Sequence, residues 1–302
     1  MFGFFKKKNK MVKQYSILLI VLSIVFTSCK NESQHADMKQ QVEKQSLSVM
    51  TYNIRLDVAS DGKNAWANRN HFLSSQVQFY GPDIMGVQEA LPNQMNDLNN
   101  ILIGYKDIGL GRDGENKGEH SSIFYNSKKI KVEKEGTFWL SETPDKISKG
   151  WDAAYPRICT YGLFTLLESN QKIWVFNTHL DHVGGEARLK GMELIQKKIN
   201  TLNTDHFPVI VMGDFNVEPS SELITNLKKK MNDSKDIAKI TFGSNGTFNG
   251  FKFDELVTRR IDYIMVSKTS TIEVEKYGVL SSLIDLKYPS DHFPVMIELR
   301  LK

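Results

Sequence analysis

Residues 209–216 read Val209-Ile210-Val211-Met212-Gly213-Asp214-Phe215-Asn216. The apolar run is a short buried strand, and Gly213-Asp214 after it is a sharp turn. Asp214 and Asn216 therefore place two hydrogen-bonding groups on a tight turn behind a strand. The same arrangement recurs outward in both directions. Asn53 ends Ser48-Val49-Met50-Thr51-Tyr52, Glu89 ends Ile84-Met85-Gly86-Val87-Gln88, and His179 ends Ile173-Trp174-Val175-Phe176-Asn177-Thr178. Asp262 starts the apolar run 261–266, and Asp291-His292 immediately precedes the last one. Each of these segments puts a carboxylate, carboxamide or imidazole at a strand end, where a rigid sheet presents side chains to a crevice.

Between these points the pattern alternates. Strands are expected over 47–55, 83–89, 121–125, 130–139, 158–167, 173–178, 208–212, 261–266, 272–279 and 295–301. Helices are expected over 69–80 (stopped by Gly81-Pro82), 92–103, 186–202 and 220–230. Many strands with helices spaced among them argue layered α/β architecture. No repeat and no Pro/Gly/Ser-rich linker divides residues 47–302, which read as one domain.

The chain has 302 residues, with 39 Lys+Arg against 35 Asp+Glu and two cysteines. That excludes a disulfide-dense scaffold and a Cys-rich zinc site. The net charge of +4 comes from the first 28 residues, which hold Lys6, Lys7, Lys8, Lys10 and Lys13 and no acid. Without those five lysines, 34 basic residues face 35 acidic ones. The body has no global positive charge to recruit nucleic acid or an anionic membrane.

Those lysines precede the apolar run 17–26, about 15 Å long as a helix and half a bilayer core. A basic segment, a short apolar segment and small residues before a cysteine define an export signal. Phe26-Thr27-Ser28-Cys29 is similar to a bacterial lipobox, with Phe26 where Leu is usual. Residues 1–28 are expected to be a signal peptide, Cys29 the lipidated N-terminus, and polar residues 29–46 a tether. An exported, membrane-anchored lipoprotein follows, on the periplasmic or cell-surface face. Cys159 then stands alone and reads as a core residue in a strand.

Thr178-His179-Leu180-Asp181-His182 has the look of a two-histidine metal site. Residues i and i+3 diverge on an extended strand, however, and oxygen-rich surroundings favour Mg²⁺ or Mn²⁺ over zinc. Arg157 is a candidate phosphate clamp, since a guanidinium forks onto oxygens; a surface ion pair is the competing reading. Trp139, Trp151 and Tyr155 read as core aromatics rather than as platforms for a base or sugar. His120, His182 and His206 receive no role.

Taken together, Thr51-Tyr52-Asn53-Ile54-Arg55, Gly86-Val87-Gln88-Glu89, Asn177-Thr178-His179-Leu180-Asp181, Gly213-Asp214-Phe215-Asn216, Arg260-Ile261-Asp262-Tyr263-Ile264 and Ser290-Asp291-His292-Phe293-Pro294 resemble the endonuclease/exonuclease/phosphatase superfamily of deoxyribonuclease-I-like phosphoesterases. The motifs run in the family's order across 49–298. The resemblance implies a four-layer α/β sandwich: two packed, mostly antiparallel or mixed sheets flanked by helices. It implies Mg²⁺ (or Mn²⁺) held by Glu89 with Asn53 beside it and Asp291 nearby. Asn53 would also bind substrate; Arg157 is a substrate-binding candidate on its own chemistry, outside the family motifs. Asp214 and Asn216 would position the attacking water and the phosphate, and His292 would be oriented by Asp262. His179 would hold a phosphate oxygen or protonate the leaving group, with Glu119 as its partner. The general base stays open among Asp214, His179 and His292.

The expected activity is metal-dependent hydrolysis of a phosphoester of unassigned identity, by a phosphodiesterase or a phosphatase. A nuclease acting on DNA or RNA is the alternative within the family; the absence of a long basic stretch weakens it. A non-catalytic binding module keeping the fold is the alternative outside enzymology, and it predicts a missing metal or acid/base residue. None is missing.

Overall fold

The computed structural model describes residues 46–302; the expected signal peptide, Cys29 and the tether up to residue 45 lie outside the described residues. Ser46, expected at the end of the tether, instead opens the first strand and pairs with Arg300.

Thirteen strands among the described residues form two sheets. They are β1 (Ser46–Asn53), β2 (Ile84–Gln88), β3 (Tyr105–Ile108), β4 (Ile123–Asn126), β5 (Ile130–Trp139), β6 (Ile158–Leu166), β7 (Lys172–His179), β8 (Val209–Asp214), β9 (Met231–Asp233), β10 (Ile240–Gly243), β11 (Asp262–Ser267), β12 (Ile272–Val279) and β13 (Val295–Leu301). The first sheet runs β10-β12-β13-β1-β2-β4-β3 and the second β5-β6-β7-β8-β11-β9. β1/β2, β10/β12 and β7/β8 are parallel, and the remaining pairs are antiparallel. The mixed, mostly antiparallel expectation therefore holds.

Side-chain alternation builds the layers. On β8, Ile210 and Met212 face the other sheet, while Val209 and Val211 face outward. β1 does the same: Leu47 and Val49 face inward, Met50 and Tyr52 outward. A two-residue period buried on both faces needs cover on both faces. Helices α1 (Asn70–Tyr80) and α2 (Pro92–Ile101) cover the first sheet through Leu73, Val77 and Leu98. Helices α3 (Gly185–Leu202) and α4 (Glu222–Lys230) cover the second through Ile195, Ile224 and Leu227. The result is the four-layer sandwich.

Local signals set the helix ends. Gly81, at φ 54°, takes the left-handed position that closes α1. Pro92 occupies the first turn of α2, and Gln94 Oε1 accepts from Leu91 N at 3.0 Å. Ser221 Oγ caps α4 by accepting from Ile224 N, and Lys228, Lys229 and Lys230 sit in its last turn. A short helix α5 (Ser234–Ile237) links β9 to β10. Cys159 lies fully buried in β6, as a core residue.

Candidate active site

Strand register brings the functional side chains to one end. Across the second sheet, His179, Asp214 and Asp262 lie side by side on β7, β8 and β11. In the first sheet, Asn53 ends β1 beside Gln88 of β2, with Glu89 next along. β13 runs antiparallel to β1, so Asp291-His292 before it arrives at the same end. Asn53 Nδ2 then donates to Glu89 Oε1 and to Asp214 Oδ2, both at 3.0 Å, and ties the sheets together. Beneath, Gln88 Nε2 donates to Asn177 Oδ1 at 2.7 Å, a buried amide bond between the sheets.

The backbone is specialised here. Gly213 has φ 142°, and a Cβ on it would lie 1.8 Å from Thr178 O, so only glycine fits where β8 passes β7. Glu89 and Asn216 adopt φ 63° and 52°. Left-handed non-glycine residues cluster at functional sites, because the surroundings must hold them there.

One group is an Asp–His pair. Asp262 Oδ2 lies 2.9 Å from His292 Nδ1, and His292 Nε2 faces Asp214 Oδ2 at 3.8 Å. Burial alone would lower the imidazole's pKa, but Asp262, its hydrogen bond, and nearby Asp214 and Asp291 carry it up to about 10. Burial, together with Asp262, pushes Asp214 up to about 7 against the pull of His292. Burial and the positive charge of Arg157 hold His179 well below the usual histidine range, so it is neutral. Asn216 Nδ2 donates to Leu180 O and lies 3.0 Å from His179 Nε2, which therefore accepts and leaves the ring proton on Nδ1.

The second group is acidic. Glu89 accepts from Leu56 N at 3.0 Å. Asp291 receives a long 3.4 Å bond from Ser290 Oγ, and burial raises its pKa. The Arg55 guanidinium stands 4.0 Å from Glu89 and 3.9 Å from Asp291, held by two 2.9 Å bonds to Asp61. Arg69, 4 % exposed, has no carboxylate among its hydrogen-bond partners. It donates to the carbonyls of Ile54, Arg55, Asn64 and Pro289, pinning the Asn53 strand end against the Ser290-Asp291 turn.

Both groups open into a cleft of about 590 Å³ whose far wall carries Arg112, Tyr155, Arg157 and His182. Two expectations are corrected there. Tyr155 is 49 % exposed and is not a core aromatic; Trp139 is buried, its Nε1 donating to Arg112 O. Arg157 forms no surface pair, being buried against Asp181 at 3.1 Å and His182 Nδ1 at 2.9 Å. Glu119 Oε2 lies 4.0 Å from His179 Nδ1, beyond hydrogen-bonding range, and its closest ion pair is with Arg112 at 2.7 Å. Among the described residues, Asp214, Asp262 and His292 are the group of three or more ligand-bearing side chains whose ligand atoms lie within 4.8 Å of one another, and it includes neither His179 nor His182. Arg69 and Arg112 have no local sequence signal, since each takes its meaning from partners reached through the fold; Arg55 stands in the Thr51–Arg55 motif, which gave it no role of its own.

A two-sheet sandwich with a carboxylate–imidazole cleft at one end defines the class. The chain belongs to the endonuclease/exonuclease/phosphatase family, which it matches over residues 50–292. Members of that family are hydrolytic enzymes acting on phosphoesters. A Bacteroides thetaiotaomicron family member of known structure is 39 % identical, with TM-score 0.81, over 85 % of this chain and 98 % of that one. A mannosyl-6-phosphatase from the same organism is also 39 % identical, with TM-score 0.79, over 84 % and 99 %. A probable RNA exonuclease of Schizosaccharomyces pombe is 26 % identical over 59 % of this chain and 38 % of its own length.

Proposed function

We propose that the protein is a Mg²⁺-dependent (or Mn²⁺-dependent) phosphoester hydrolase acting on the monoester of a small or glycan-linked alcohol. One observation carries this: Glu89, Asp291, Asp214 and His292 line the same cleft, with buried Asn53 bonded to both Glu89 and Asp214 and buried Asp262 held 2.9 Å from His292. The likeness to a mannosyl-6-phosphatase over nearly all of its length supports the monoester reading.

The donor set fits a hard cation. Glu89, Asn53 and Asp291 offer oxygens, and Asp291 is a buried carboxylate with a weak hydrogen bond and a distant guanidinium. Asp214, Asp262 and His292 also offer ligand atoms within 4.8 Å of one another. In that cluster the imidazolium already compensates Asp262, so the Glu89 group is the better cation site. A bound Mg²⁺ there offsets the charge of the phosphate.

The protein's own groups do the rest. Asp214, fixed by Asn53 Nδ2 and Asn216 N, orients a water and takes its proton as the oxygen attacks phosphorus. His292, charged and held by Asp262, faces a non-bridging oxygen. Asn216 supports both Asp214 and His179. The bond to the alcohol breaks opposite the attacking water, the departing oxygen takes a proton from solvent in the open cleft, and the alcohol leaves through it.

The test is release of p-nitrophenol from its phosphate monoester and bis-ester by the full chain, before and after EDTA and with Mg²⁺ restored. Metal-dependent release, faster from the monoester, is expected. Hydrolysis indifferent to EDTA sinks the metal, and a faster bis-ester sinks the monoester reading.

We further propose that Cys29 is lipidated and anchors the enzyme on an external membrane face, the motive being the basic and apolar segments before it. Two or more acyl chains hold a protein stably. Among the described residues, no helix is long and apolar enough to cross a membrane. Mass spectrometry of the N-terminal peptide should show acylated Cys29; an unmodified N-terminus downstream of it refutes the anchor.

A further inference from the structure

The cleft is far larger than a phosphate group, so the alcohol portion of the ester must occupy part of it. That space is bounded by an organised wall. Tyr155, half exposed, lies near-parallel to His182 with ring centroids 6.0 Å apart, and the Arg112 guanidinium sits 4.7 Å over the same ring. Arg157 donates to His182 Nδ1 at 2.9 Å, which leaves the ring proton on His182 Nε2, on an exposed side chain. The wall thus offers a phenol hydroxyl, an imidazole N–H and guanidinium N–H groups. Contacts connect it to the reacting end: Arg112 to Glu119 at 2.7 Å, Glu119 to His179 at 4.0 Å, and His179 to Asp214 at 3.5 Å.

The charge balance decides what such a wall selects. Arg112 is neutralised by Glu119, and Arg157 by Asp181 at 3.1 Å. Binding a polyanion requires a row of cations free to replace its counterions; here both arginines beside Tyr155 are paired, and the one other lining arginine away from the reacting end, Arg259, is exposed with a single distant carboxylate, Glu218 at 4.0 Å. The Tyr155 ring is already engaged, so the wall presents hydrogen-bonding edges more than a bare stacking face. A neutral surface rich in paired donors and acceptors suits vicinal hydroxyls, which give and accept hydrogen bonds together.

We infer that Arg112, Tyr155 and His182 form a leaving-group subsite for an uncharged polyhydroxylated alcohol, a sugar in chemical class. The inference rests on the hydrolase reading above and adds which residues choose the ester.

The experiment compares kcat/KM for a hexose 6-phosphate, p-nitrophenyl phosphate and a 5′-phosphorylated dinucleotide, in the full-chain protein and in Tyr155→Ala, His182→Ala and Arg112→Met. The unaltered protein should prefer the hexose phosphate to the dinucleotide. Each substitution should lower the ratio of hexose phosphate to p-nitrophenyl phosphate by about 10-fold or more, the worth of a lost hydrogen bond at a specific site. Arg112→Lys should recover part of that ratio. Hydrolysis of p-nitrophenyl phosphate with all ratios unchanged overturns the subsite alone, as does preference for the dinucleotide. No hydrolysis of any ester overturns the hydrolase reading and the subsite with it.

Discussion

The two ends of the cleft are built on opposite electrostatic plans. At the reacting end, Glu89 and Asp291 crowd one guanidinium at about 4 Å, and burial pushes Asp214 and Asp291 toward their protonated forms. At the wall, Arg112 and Arg157 each have a carboxylate at contact distance, and Asp181 is held well below the usual carboxylate range. One end is short of positive charge and the other is balanced. The difference teaches that acidic residues in a cleft do not act alike: those without a fixed partner suit a cation, while those with one serve as scaffold.

Glu89→Gln tests the contrast most severely. Turnover should vanish at limiting Mg²⁺, and calorimetric affinity for the ion should fall, with the circular-dichroism spectrum unchanged. Full activity at limiting Mg²⁺ would remove the imbalance argument. His292→Ala should slow turnover by about 10²–10⁴-fold, the usual worth of a positioned acid or base. Asp262→Asn should reproduce part of that loss, and a neutral Asp262→Asn separates the pair.

At the balanced end the damage should appear in stability. Asp181→Asn strands the buried Arg157 guanidinium and should cost about 3–5 kcal/mol, as broken buried pairs do, read by denaturant unfolding. Asp181 has a depressed folded pKa, so its contribution is complete above the unfolded value near 3.9 and is lost as pH falls below it. The deficit of the variant should therefore be full at pH 7 and shrink below about pH 4; a gap independent of pH would break the assignment. Arg69→Lys should weaken Mg²⁺ affinity about 10-fold, as loss of an orienting partner does, because Ile54, Arg55 and Pro289 lose their shared donor. An unchanged affinity would make Arg69 purely structural.

The fold was legible where burial alternates along a strand: 272–279 and 295–301 match β12 and β13 to the residue, and 130–139 matches β5, whose two ends are buried. β3, β9, β10 and α5 left no signal, being three or four residues long. β10 is exposed throughout and is held by pairing with β12, which no side-chain pattern announces. In the site, the strand-end residues were readable because a polar group behind an apolar run breaks a pattern. The roles of Arg55, Arg69 and Arg112 were not. Arg69 takes a carbonyl 220 positions away, and Arg55 faces acids from two other segments. Tyr155 misled because an aromatic in a loop looks the same whether it faces a core or a cleft.

Cys159 gives the second sheet a built-in clock. Its thiol is fully enclosed in β6, and burial pushes its pKa well above the ordinary value. A thiol reagent can reach it only when β6 parts from its neighbours. With Cys29 acylated or replaced by serine, the rate of Cys159 labelling would count those openings directly. A reporter cysteine placed on an exposed loop would label long before it, so probes of cleft motion can be attached without first removing the native thiol.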